Sequence, residues 1–213
     1  MSRQQPKATG PEDWKRSDQY HNSFLHSPDP ILDAVLKHST DSGLPEIAVS
    51  AAQGKFLSLL ASSIGAKKIL EVGTLGGYGL IISLYSTIWL ARALPADGEL
   101  ITLEYNEKHA KGTTRWSRCT PDTPFDLIFI DADKPSNVNY FTEAKRLVRK
   151  GGVIIVDNVV RFGRVADPEY SDANVEGVRA LLRALKDDAD VAATTIATVG
   201  DKGYDGFVYA IRK

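Results

Sequence analysis

The stretch Lys67–Gly79, KKILEVGTLGGYG, reads as a short apolar strand running into a glycine-rich turn, and the residues after it as a helix closed by Pro95. Two further apolar runs repeat the pattern: FDLIFI (Phe125–Ile130) ends on Asp131, and VIIV (Val153–Val156) ends on Asp157. ELITLE (Glu99–Glu104) follows the Asp97-Gly98 turn as another strand. Continuous apolar runs separated by helices are what parallel strands buried on both faces require. Val191–Thr198 and Phe207–Ile211, joined by GDKGYDG, suit a closing antiparallel pair. The fold expected is a doubly wound α/β sheet, mostly parallel, with an antiparallel edge.

Outward from the strands, ILDAVLKHS after Pro30 has helical spacing. Ser50 and Gln53 form a capping-box pattern before a stripe of Phe56, Leu57, Leu60 and Ile64 that ends at Gly65. Asn137 reads as the cap of a helix with Val138, Phe141, Ala144 and Val148 inward, stopped by Gly151-Gly152; Val175–Leu185 reads as another. Residues 1–20, polar and broken by Pro6, Gly10 and Pro11, read as a flexible arm ahead of a single domain over 21–213.

A chain of 213 residues with 43% hydrophobic and 25% charged residues has the make-up of one α/β domain. Its net charge of -1 offers no basic face for nucleic acid. Leu80–Leu94 is interrupted by Ser83, Ser86, Thr87 and Arg92 and falls short of the roughly 20 residues of a membrane span. A single cysteine, Cys119, and a polar start without a signal-peptide core indicate a cytoplasmic setting.

Ligands of open α/β sheets sit beyond the carboxyl ends of the strands, which here carry Glu71 to Gly73, Glu104, Asp131 and Asp157-Asn158. The first loop fails the G-x-G-x-x-G spacing because position 75 is leucine, which disfavours a nicotinamide cofactor. An acid two residues before the first glycine suits a cation better than a pyrophosphate, and S-adenosylmethionine carries an ammonium and a sulfonium. Glu104 is suited to ribose hydroxyls. One aspartate at a strand end is most simply a helix cap. Asp131, Asp157 and Asn158 together are three hard oxygen donors, the set that Mg²⁺ or Ca²⁺ prefers. Lys134, beside them, suits a general base for a phenolic proton, although most lysines are solvated surface charges.

The segments ILEVGTLGGY, ITLEYNEKHA, FDLIFIDADKPSN and GGVIIVDNVV, followed by GRVADP, resemble the cation-dependent O-methyltransferases that include the caffeoyl-CoA and catechol enzymes. The resemblance runs from about Leu44 to Lys213. It implies an S-adenosylmethionine-dependent, Rossmann-like fold with Asp131, Asp157 and Asn158 as metal ligands, for Mg²⁺ foremost and Ca²⁺ or Mn²⁺ next. It makes Lys134 and Asp131 catalytic, and Val49 (in AVSAAQG), Glu71, Gly73, Thr74, Glu104 and Asp131 cofactor contacts. It also implies a catechol or hydroxycinnamoyl-type acceptor and a homodimer, while the charge and apolar runs above lead us to expect no nucleic-acid or membrane partner.

The sequence departs from the family twice. Gly79–Tyr85 (GLIISLY) intervenes between Tyr78 and Ser86, which displaces a cofactor-facing serine along the chain. Only 20 residues separate Glu104 from Phe125, too few for the further strand and helix the family has there, so one strand and one helix are expected to be missing. Both departures fit a gene model that retained an intron piece and lost an exon. The competing readings are a non-catalytic member acting as a binding or dimerisation module, and an NAD-dependent oxidoreductase.

Overall fold

The structure, a computed structural model, describes residues 8–41, 48–73, 84–103 and 123–213. Its strands are β1 (Lys68–Val72), β2 (Glu99–Leu103), β3 (Phe125–Ile130), β4 (Val148–Asp157), β5 (Val191–Gly200) and β6 (Gly203–Arg212), in one sheet of order β2-β1-β3-β4-β6-β5. The first four are mutually parallel, and β6 and β5 run antiparallel at the edge. Among the described residues β2 ends the sheet on the other side. The 104–122 connection, where a strand and helix were expected to be missing, lies outside the described residues, as does most of Gly79–Tyr85.

The helices are α1 (Pro11–Leu25), α2 (Pro30–Asp41), α3 (Ala51–Ser63), α4 (Leu84–Ala93), α5 (Asn137–Leu147) and α6 (Ala173–Lys186). Strand alternation sorts the core into two layers. Leu70, Val72, Ile128, Ile130, Ile154 and Val156 pack with Phe141 and Ala144 of α5 and Val178 and Leu181 of α6. Ile69, Leu127, Phe129, Val153 and Ile155 face the other way, with Leu57 and Ala61 of α3 and Trp89 and Leu90 of α4. Burial of β3 on both faces is the reason its sequence is continuously apolar.

Several boundaries differ from the sequence reading. Residues 11–25, which begin inside the 1–20 stretch read as an arm, are helical: Pro11 starts α1, Gly10 is its N-cap, and the Asp13 carboxylate accepts from the Gly10 N–H at 3.1 Å. This helix lies against α3, β5 and β6. Val148 begins β4 rather than closing α5, and the strand runs through Gly151-Gly152, because a register shift between Phe125 and Leu127 accommodates the extra residues. Ser136, not Asn137, is the N-cap of α5. The β5–β6 hairpin pairs as far as Gly200 and Gly203, so its turn is only Asp201-Lys202.

Candidate active site

Because β1, β3 and β4 are parallel and in register through Val72, Ile130 and Val156, their carboxyl ends deliver Gly73, Asp131 and Asp157 side by side. Gly73 has φ of 108°, and a Cβ there would stand 2.0 Å from the Asp131 carbonyl oxygen. Only glycine lets the β1 terminus lie this close to β3. Its N–H donates to the Leu103 carbonyl at 3.0 Å, and the Asp131 N–H donates to the Val72 carbonyl at 2.8 Å.

A cavity of about 560 Å³ opens over these ends, with Asp131, Asp157 and Asn158 in its lining together with Val49 and Gln53. Lys134 lies on a single 3-10 turn, Lys134–Ser136. It is 6% exposed, and its Nζ donates to Asp131 Oδ1 at 2.9 Å. Asp157 is buried, and its Oδ1 accepts from the Asn158 N–H at 2.8 Å. Burial, and then the charge of Asp131, push the Asp157 carboxyl up to about 7, against the opposing pull of Lys134, the Asn158 N–H and Gln53. Asn158 has φ of 55°, a left-handed conformation that asparagine tolerates better than most residues.

Three of the residues expected as metal ligands are therefore together, with Lys134 among them. Among the described residues no group of three or more His, Cys, Asp or Glu side chains is arranged to hold a metal. Glu71 is brought near but is engaged otherwise. Its carboxylate accepts from Ser86 Oγ and Thr87 Oγ1 in the first turn of α4, both at 2.5 Å, and burial raises its pKa. Ser86 thus meets the end of β1 in spite of the intervening Gly79–Tyr85, and Tyr85 itself is a buried core residue. Val49 is buried just ahead of α3. Thr74 and Glu104 lie outside the described residues.

The sequence reading missed Gln53. Ser50 Oγ accepts from the Gln53 N–H at 3.1 Å, half of the expected capping box, but the Gln53 side chain serves the cleft and Asp157. It also missed the far wall, built by Arg161, Phe162 and Asp205. No local periodicity marks residues that reach the site through strand pairing.

An O-methyltransferase family model matches residues 23–120 and 108–210. The chain is 44% identical over 214 residues to a catechol O-methyltransferase of Mycobacterium tuberculosis, covering 91% of this chain and 94% of that protein. It is 42% identical over 219 residues to a catechol O-methyltransferase of Niastella koreensis, covering 92% and 96%. Its fold superposes with a TM-score of 0.84 and 41% identity on the O-methyltransferase TomG of Streptomyces achromogenes, solved in complex with SAM, over 97% of this chain and 100% of that one. With strand ends, cleft and sequence in agreement over nearly the whole length, this chain belongs to the O-methyltransferase family.

Proposed function

We propose that this protein transfers a methyl group from S-adenosylmethionine to one hydroxyl of a catechol-like acceptor, with a divalent cation, Mg²⁺ foremost, held by Asp131, Asp157 and Asn158. The observation that carries the reading is the meeting of those three residues in one cleft at the carboxyl ends of β3 and β4, with Lys134 Nζ donating to Asp131. The donor set fits the metal: two carboxylates and an amide are hard oxygens, and burial, followed by the charge of Asp131, raises the pKa of Asp157 in spite of Lys134. A cation bound there supplies Lewis acidity that lowers the pKa of the acceptor hydroxyl.

The chain's own residues do the rest. Lys134 Nζ, buried and fixed by Asp131, takes the phenolic proton when neutral or, as the ammonium, stabilises the phenolate. Gly73 lets the β1 terminus pack against β3, Val49 bounds the cleft, and Glu71 holds the start of α4 to β1. The cofactor contacts expected of Thr74 and Glu104 remain part of the reading. The named activity of the two catechol O-methyltransferase relatives supports the acceptor class. Exposed Tyr20, Phe24 and Leu25 on α1 support a homodimer, which sedimentation tests, and the single cysteine supports a cytoplasmic setting.

The test is methyl transfer over a panel of catechols, with Mg²⁺ and with a chelator. Turnover that requires both a vicinal diol and the cation is expected. Turnover insensitive to chelation would overturn the metal assignment, and none with any diol would leave a binding module.

A further inference from the structure

We propose that Arg161 makes this cleft selective for acceptors whose aromatic ring carries a carboxylate, as in dihydroxybenzoates; the proposal rests on the O-methyl-transfer reading above. The loop that follows Asn158 is held in an uncommon shape, with left-handed backbone at Arg161 (φ 51°) and Phe162 (φ 59°). Strand β6 fastens it. Asp205 Oδ1 accepts from the Val160, Arg161 and Gly206 N–H groups at 3.1, 2.8 and 2.9 Å, and the Phe162 N–H donates to the Tyr204 carbonyl at 2.9 Å. A loop pinned in this way presents its side chains at set positions.

What it presents is a cation outside any ion pair among the described residues. Arg161 is half-buried in the cleft lining, and among the described residues its guanidinium forms no ion pair and no side-chain hydrogen bond. Four of the surrounding acids are committed elsewhere. Asp205 serves backbone amides, Asp131 serves Lys134, and Asp18 accepts from the Asp201 N–H at 3.2 Å. Asp172, which feels the Arg161 charge, caps α6 through the Val175 N–H at 2.7 Å and accepts from the Tyr170 hydroxyl at 3.0 Å. Arg164 is spent against the rings of Phe162 and Tyr170, at 5.7 and 5.0 Å.

A planar guanidinium with its donors free matches a carboxylate bidentately and matches no neutral ring substituent as well. Phe162 supplies the neighbouring apolar surface. Its ring lies over Gly203, where a Cβ would come within 2.7 Å of it, and it remains 61% exposed in the cleft. An aromatic carboxylate satisfies both side chains at once, with its ring against Phe162 and its charge on Arg161.

The experiment compares 3,4-dihydroxybenzoate with its uncharged analogue 3,4-dihydroxybenzamide, and with the cationic 4-(2-aminoethyl)catechol, in the parent protein, Arg161→Met and Arg161→Lys, all checked for parental melting temperature. The parent should prefer the benzoate in kcat/KM. The benzoate-to-benzamide ratio should fall about 10- to 100-fold in Arg161→Met, through KM rather than kcat, as expected on losing a charge-assisted bidentate contact, and recover in part in Arg161→Lys. A parent that favours the benzamide or the amine, or an Arg161→Met variant that keeps the parental ratio, overturns the proposal. If no acceptor is methylated, the methyl-transfer reading fails by itself; calorimetric binding of the benzoate and benzamide to the same proteins then decides the role of Arg161 by the same ratio.

Discussion

The Lys134 ammonium and the Asp131 carboxylate meet at 2.9 Å at the end of β3, and the turn that carries Lys134 is backed by α6 so closely that a Cβ on Gly177 would stand 2.1 Å from the Lys134 carbonyl oxygen. The position of the proposed base is thus set from two sides: its charge is held by Asp131 and its backbone by a helix packed against it.

Lys134→Ala should lower kcat by about 10²–10⁴-fold, the usual contribution of a positioned acid–base group. S-adenosylmethionine affinity, read by calorimetry, should stay close to that of the parent. Parental kcat in this variant would reduce Lys134 to a buried structural cation.

Gly177→Ala separates helix propensity from packing. Alanine in a helix interior gains up to about 1 kcal/mol over glycine, but here the methyl group meets backbone, and overpacking costs about 1–3 kcal/mol. With a clash at 2.1 Å the second effect should win. The expected result is a lower melting temperature and a fall in kcat that exceeds any change in KM. A stabilised variant with parental kcat would show that the turn moves freely away from α6.

Asp157→Ala should abolish cation-dependent turnover. The fold should tolerate it, because the carboxyl is buried beside Asp131 and its charged form is disfavoured there. Turnover with and without chelator, alongside a thermal melt, checks both halves; chelator-insensitive activity at the parental rate would refute the role as a metal ligand.

Glu71→Gln should change how stability varies with pH. Burial raises the folded-state pKa of Glu71 above the 4.5 usual for a glutamate, so above that pH the native state holds a proton the unfolded chain has released. The contribution of Glu71 to stability therefore falls as pH climbs from 4.5 towards its folded pKa. The glutamine variant lacks this loss. Melting curves between pH 5 and pH 8 should show its advantage over the parent growing with pH, and parallel curves would mean that Ser86, Thr87 and Thr102 keep the carboxylate charged at no cost.

By itself the sequence determined the strands, their parallel direction and the residues at their ends. Continuous apolar runs report burial on both faces, and a motif such as Asp131 to Lys134 is short enough for local geometry to keep its members together. It determined family membership for the same reason, since the strand-end motifs are contiguous. Tertiary structure alone decided what surrounds those ends. The sequence marks Glu71 as a strand-end acid, but only α4 shows that Ser86 and Thr87 donate to its carboxylate. The polar start gave no sign that α1 would lie on β5, because a helix with no buried residue has little apolar stripe to read. Arg161 entered the site through an antiparallel partner 44 residues away, Asp205. Sequence periodicity encodes which face of an element is buried; which side chains then meet across the cleft depends on strand register and loop closure, and these are set by pairings between distant parts of the chain.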